Sequence, residues 1–177
     1  PQKWLDMYPP GSVDMPINFK MQDWPDHPYW NETRPWRFPV DEDLPEDVIR
    51  NAVATYYGLV SFLDDKLGRV LDALDKAGLT DSTRIIYTSD HGEMLGGHGL
   101  WGKMCMYEDS VAVPLIAAGP DLPAGATCAE NVSWVDIFPT VCDGLGAALA
   151  DSDSDLPGTS LWPIARGEES PGRPAFS

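Results

Sequence analysis

Between Glu46 and Ala77 the apolar residues Ile49, Ala52, Val53, Tyr56, Leu59, Val60, Leu63, Leu67, Val70, Leu71 and Leu74 recur at spacings of three and four. That period gathers them on one side of a helix; a strand would alternate its faces every second residue. Pro45, Glu46 and Asp47 suit a first turn, and Lys76 followed by Gly78 suits an end. Gly58 and Gly68 fall inside the run, where they bend the helix or admit a close neighbour. The preceding residues are of the opposite kind. Pro9, Pro10, Pro16, Pro25, Pro28, Pro35, Pro39 and Pro45 are interleaved with Trp4, Trp24, Trp30 and Trp36. Proline fixes φ and removes a donor, so residues 1–45 are expected to hold no helix or central strand. Their indoles need apolar cover, which predicts an extended arm wrapped over a larger body.

After the helix, Thr83 to Ser89 is a short β-rich run, and Val113 to Ala118 reads as a second strand closed by Gly119-Pro120. A helix followed by a buried strand is half of a βαβ unit, which predicts an α/β fold with a mostly parallel sheet and flanking helices. Trp134 to Leu145 is expected to be helical, with Pro139 near its start or at a kink. Asp151 to Asp155 reads as a solvated acidic loop, and Leu161 to Arg166 as one helical turn. A chain of 177 residues has room for one compact domain.

Charge narrows the function classes. The chain carries 12 basic against 28 acidic side chains, a net of −16. Such a surface repels nucleic-acid phosphates and anionic lipid, so neither nucleic acid nor membrane is an expected partner. No apolar stretch approaches the length of a membrane helix. The three cysteines, Cys105, Cys128 and Cys142, are an odd number and widely spaced, which argues against a disulfide framework or a cysteine zinc site. A cytoplasmic location is the plain expectation, with a periplasmic or secreted one left open because the chain begins at Pro1.

Chemistry concentrates in Tyr87-Thr-Ser-Asp-His-Gly-Glu-Met-Leu-Gly-Gly-His-Gly-Leu-Trp-Gly-Lys103. Asp90 and His91 fall where a strand gives way to its loop, the end of an α/β strand at which ligands bind. A carboxylate beside an imidazole can coordinate a divalent cation, and the carboxylate favours hard ions. The glycines allow backbone to approach a ligand, and Lys103 can offer a cation to an anionic oxygen. The plainer alternative is a capping Asp90, a packed His91 and a solvated Lys103.

This segment resembles the second-half metal and anion motif of the type I sulfatase family, within the alkaline-phosphatase-like superfamily. Asp90-His91, where many arylsulfatases have Asp-Asn, resembles the branch of choline sulfatases and phosphonate monoester hydrolases. Asp6-Met-Tyr-Pro with Val13-Asp-Met-Pro is similar to the family's arm, Tyr56-Tyr-Gly-Leu-Val60 to its long helix, and Tyr107-Glu108 with Val113-Pro-Leu-Ile116 to the strand after the lysine. Asp136-Ile-Phe-Pro-Thr-Val and Gly158-Thr-Ser-Leu are similar to the helix and loop that follow. The resemblance implies a partial alkaline-phosphatase-like fold, with residues 1–177 a middle-to-C-terminal part of a catalytic domain: an arm over 1–45 and an α/β portion over 46–177. It implies a hydrolase of sulfuric acid esters acting on a small anionic ester, with Asp90 and His91 as metal ligands. Lys103 is implied as the catalytic and substrate-binding cation, and His98 as a further substrate-binding candidate whose role is open. Calcium is the expected cation, with manganese or magnesium behind it, and a formylglycine is the implied nucleophile.

The departures are specific. Cys105 precedes Met-Tyr, Cys128 precedes Ala-Glu and Cys142 precedes Asp-Gly, so none fits the Cys/Ser-x-Pro/Ala-x-Arg source of a formylglycine. The family's N-terminal Asp pair, first lysine and histidines have no counterpart, Ala112 stands where many relatives have Arg, and the chain stops at Ser177. The expectation is therefore a fragment that is inactive alone, whose first partner is the rest of its own chain, with self-association also compatible. The alternatives are a phosphonate monoester or phosphodiester hydrolase, and a non-catalytic remnant acting as an interaction module. Elsewhere the plain readings lead: His27 as a surface or packing residue, Trp101 as pocket wall or buried anchor, Cys105 as packing within Met104-Cys-Met106, Glu93 as the head of a turn more than a third ligand, and Asp64-Asp65 as a solvated face.

Overall fold

The computed structural model describes residues 1–28 and 42–168, and these form two compact units. One unit is Pro1–Lys76 with His91–Ala112; the other is Ala77–Asp90 with Val113 onward. The division does not follow the arm boundary near residue 45, because arm and long helix fall in the same unit. Trp30, Trp36, Pro35, Pro39 and the C-terminal Ser177 lie outside the described residues.

In the first unit, α1 (Gln2–Leu5) is followed by single 3-10 turns at Pro10–Ser12 and Met21–Asp23, then by α2 (Glu46–Lys76) and, later in the chain, α3 (Glu108–Val111). The expectation that residues 1–45 hold no helix is corrected by α1 and the two turns. Each is three or four residues long, short enough to fit between prolines, and Pro10 sits in the first turn where its missing N–H costs nothing. The first residues of the arm pack against α2. Tyr8 shares a hydrogen bond at 2.6 Å with Ser61, and the Arg50 guanidinium donates to the Val13 carbonyl at 2.5 Å. Trp4 meets Phe62 edge to face at 6.5 Å, and Tyr8 meets Tyr57 at 5.6 Å. A Cβ at Gly58 would stand 3.0 Å from the Trp4 carbonyl oxygen, so this glycine is where the arm approaches the helix axis. Val13, Ile49, Val53 and Ala54 form the buried core, with Phe19, Leu95 and Trp101 packed on it. Trp101 is thus an anchor of the core. Farther along α2 the apolar face is open: Leu59, Val60, Leu63, Val70 and Leu71 are all exposed.

In the second unit, β1 (Ile85–Thr88) pairs with β2 (Leu115–Ala118), then α4 (Ile137–Gly144) and α5 (Trp162–Ala165) follow. The pair is antiparallel, with Ile85 opposite Ala118 and Thr88 opposite Leu115. This corrects the parallel expectation for these two strands: α3, in the chain between them, has four residues and is too short for the crossover helix of a parallel pair. They form a two-stranded sheet among the described residues and are half-buried or exposed, which corrects the expectation of buried strands. Arg84, just before β1, donates to the Gly144 carbonyl at 3.0 Å, a cation on the C-terminal end of α4. Pro139 sits in the first turn of α4, so the helix is not kinked.

The centre of this unit is a buried polar network. Asp136, in a capping box with Ser133, accepts from the Ser133 N–H at 2.9 Å and from the Thr159 N–H at 2.9 Å. Thr140 donates its hydroxyl to the Asp136 carbonyl at 2.6 Å and accepts from the Leu161 N–H at 2.9 Å. The Trp162 indole donates to the Thr140 carbonyl at 2.7 Å. Gly158 lies so close to the Val135 carbonyl that a Cβ would overlap it. Thr140→Val keeps the shape but strands the Leu161 N–H, so it should cost about 1–3 kcal/mol. Urea unfolding should show that loss. Ser152→Ala, at an exposed position, is the control and should change stability by less than about 0.5 kcal/mol.

Candidate active site

The segment from Asp90 to Lys103 begins where β1 ends. Asp90 is exposed and closes the β1 stretch of the second unit; His91 opens the loop of the first. The Ser89 hydroxyl lies 3.5 Å from Asp90 Oδ1, and the Ser89 carbonyl accepts from the Trp134 indole at 2.5 Å.

His91 is half-buried, and its Nδ1 lies 2.7 Å from the Gly92 carbonyl oxygen. A carbonyl only accepts, so Nδ1 carries the proton and, in the neutral ring, Nε2 carries the lone pair. That is the form in which an imidazole coordinates a cation through Nε2, its other nitrogen held by the backbone. Gly92 is fixed in turn: its N–H donates to the Ser110 carbonyl at 2.8 Å, and a Cβ there would overlap the Asp109 carbonyl oxygen.

The loop then doubles back. Met94 N–H donates to the Gly102 carbonyl at 2.9 Å and Gly96 N–H to the Leu100 carbonyl at 2.8 Å. Glu93 Oε1 accepts from the Leu95 N–H at 3.2 Å and from the Gly102 N–H at 2.7 Å. The third-ligand reading of Glu93 gives way to that of a side chain tying a turn. His98 sits at φ +54°, with its Nδ1 3.4 Å from Asn18 Nδ2 and its ring stacked on Tyr107 at 4.1 Å and 2°. With Asn18 donating, the neutral His98 ring carries its proton on Nε2, the opposite tautomer to His91.

Lys103 is exposed, and its carbonyl accepts from the Ser110 hydroxyl at 2.6 Å. Met104 and Met106 are each 70% exposed, which corrects the packing expectation for that run, although Cys105 between them is half-buried. Asp65 is paired with Lys66 at 2.8 Å, which holds its carboxyl below the usual range and fits a solvated face. His27 is exposed. Among the described residues no three His, Cys, Asp or Glu side chains gather as a cation site. Asp90 carries a carboxylate and His91 an imidazole, donor types that divalent cations take. Ser110 is not singled out by the sequence, because its role comes from backbone contacts that spacing does not encode.

The loop and the elements around it are shared with known proteins. The family described as Sulfatase matches residues 16–147. Choline-sulfatase of Rhizobium meliloti (strain 1021) is 38% identical over 127 residues, covering 72% of this chain and 25% of that protein. Arylsulfatase K of Mus musculus is 46% identical over 104 residues, covering 59% of this chain and 19% of that protein. The solved structure of phosphonate monoester hydrolase SpPMH from Silicibacter pomeroyi matches with a TM-score of 0.86 at 28% identity, over 98% of this chain and 36% of that one. The chain thus spans about a quarter of the choline-sulfatase it matches.

The glycine contacts give a test of how the loop is held. Gly92→Ala forces backbone against backbone and should cost about 1–3 kcal/mol. At Gly97 a Cβ would make ordinary contacts at 3.6 Å, so Gly97→Ala should change stability by less than about 1 kcal/mol. Thermal melts of the two variants check the difference.

Proposed function

The chain belongs to the sulfatase family, and from that premise we propose that it forms part of the active site of a hydrolase of sulfuric acid esters. Membership implies a divalent cation and a formylglycine in general. Asp90 and His91 are proposed as two of the cation's ligands, and Lys103 as the ammonium that faces the ester's sulfate. The observation that carries the reading is the bond from His91 Nδ1 to the Gly92 carbonyl, which sets the ring for coordination through Nε2. Calcium is the proposed ion, because a carboxylate-led shell favours a hard cation with oxygen ligands. When bound, such a cation supplies charge that polarises an ester oxygen.

The rest is the work of this chain's own groups. Cleaving the S–O bond of a sulfate monoester builds negative charge on the leaving oxygen, beside sulfate oxygens that are already anionic. A lysine held by its backbone can meet that charge with little reorganisation. His98, stacked on Tyr107, is proposed to support the loop, with its Nε2–H as a second donor to the anion. A cytoplasmic location, expected from the odd cysteine number, belongs to the same proposal.

A second reading, hydrolysis of phosphonate monoesters, is favoured by the TM-score of 0.86 with the phosphonate monoester hydrolase. Both esters present an anionic tetrahedral group, so initial rates on p-nitrophenyl sulfate and p-nitrophenyl phenylphosphonate decide between them.

In the intact enzyme Lys103→Ala should lower kcat/KM for the preferred ester by roughly 10²–10³, with the melting temperature nearly unchanged because the side chain is exposed. Lys103→Arg should not restore the full rate, since a planar guanidinium does not replace a compact ammonium. Near-wild-type turnover in Lys103→Ala would remove the lysine from the mechanism. Calorimetric titration of calcium into this chain alone should show binding weaker than micromolar, as two donors are far from a shell of about six. Sub-micromolar binding would contradict that ligand count.

A further inference from the structure

Two side chains with no part in the reading so far converge on the backbone around Lys103. Glu93 Oε1 takes both the Leu95 N–H at 3.2 Å and the Gly102 N–H at 2.7 Å, so one carboxylate oxygen joins the outgoing and returning limbs of the loop. The Gly102 bond fixes the residue immediately before Lys103. On the other side the Ser110 hydroxyl donates to the Lys103 carbonyl at 2.6 Å. Ser110 is only 2% exposed, and its own N–H is used by the Tyr107 carbonyl at 2.8 Å. Its carbonyl accepts from Gly92 at 2.8 Å, the residue whose carbonyl holds the His91 ring. Ser110 therefore joins the His91 end of the loop to the Lys103 end. Lys103 follows Gly102, whose φ of +79° is a turn that a side chain at that position would strain.

We infer that Glu93 and Ser110 are positioning residues for the Lys103 ammonium: they fix the backbone on both sides of its Cα and do not touch substrate. The inference rests on the proposed role of Lys103. Rate depends steeply on such placement, because a displacement of about 1 Å in a charge-stabilising group can cost about 10²-fold. For Glu93 the useful property is the position of an acceptor oxygen. Its charge is incidental, and two substitutions separate these. Glu93→Gln keeps an oxygen at the same reach and removes the charge. Glu93→Asp keeps the charge and withdraws the oxygen by one methylene.

The experiment is a double-mutant cycle in the intact enzyme, using steady-state hydrolysis of p-nitrophenyl sulfate and p-nitrophenyl phenylphosphonate, with thermal melts on every variant. Glu93→Gln should stay within about threefold of wild type, whereas Glu93→Asp and Ser110→Ala should each lose about 10- to 100-fold in kcat/KM. In a Lys103→Ala background the same two changes should cost less than about twofold, because the group they position is gone. Equal losses with Gln and Asp, or a larger loss with Gln, would overturn the inference in favour of a charge role for Glu93. So would losses that multiply independently of Lys103→Ala. If Lys103→Ala alone leaves turnover unchanged, the proposed role of Lys103 falls and the inference falls with it, an outcome distinct from a slow Lys103→Ala enzyme with an uncoupled Glu93. Should Ser110→Ala fail to fold, the Glu93 pair carries the test.

Discussion

The loop from His91 to Ala112 is organised around one buried hydroxyl residue. Ser110 has no apolar bulk to contribute, so its burial makes sense only through its bonds. Its carbonyl receives Gly92, its N–H reaches Tyr107 and its hydroxyl reaches Lys103. A buried polar residue with each group partnered costs little, and removing one partner costs the full desolvation of what is left. That asymmetry is what holds a glycine-rich segment in one shape. Gly96, Gly99 and Gly102 all lie at positive φ, and such a chain has many other conformations open to it without these bonds.

The second unit uses the same device with different groups. Asp136 and Thr140 are buried and polar, and between them they satisfy three N–H groups from residues 133, 159 and 161. The two stretches that look most family-like there, 136–141 and 158–161, are thereby partners in one network, and Gly158 is glycine because a backbone carbonyl occupies the space a side chain would need. Arg84 then fastens β1 to the same region through the end of α4. The strand that leads to Asp90 is consequently anchored by a polar cluster, with little apolar burial of its own.

How much of this can be read from residues alone follows from the range of each interaction. The helix over 46–76 is legible to within a residue, since period, first-turn acids and terminal glycine are all local signals. Which face it buries is not legible. Ile49 and Val53 are buried while Leu63 and Val70 are open, although all four obey the same period. Strand positions are legible for β1 and β2, but their mutual direction is not. Whether two short apolar runs pair parallel or antiparallel depends on where the intervening chain returns, and the glycines of residues 89–114 mark a loop without encoding its direction. The arm's helical turns are hidden because proline statistics speak against long helices, and turns of three or four residues escape that argument. At the site, Asp90, His91 and Lys103 stand out by chemistry and spacing. Ser110 is invisible, as nothing separates it from any other serine until the backbone is folded.

The two histidines of the loop show why residue type is a weaker guide than hydrogen-bond direction. His91 and His98 are seven positions apart in one motif and both are half-buried. A carbonyl partner makes His91 a donor at Nδ1 and leaves its lone pair on Nε2. An amide donor makes His98 an acceptor at Nδ1 and puts its proton on Nε2. In the proposed site the first would give electrons to a cation and the second would donate to an anion. A sulfate ester held at a cation needs both kinds of group, one for the ion and one for the negative oxygens. The chain's net charge of −16 would add to that need in the proposed enzyme, because an acidic surface repels an anionic ester. The backbone around each ring thus assigns chemically opposite parts to two identical side chains.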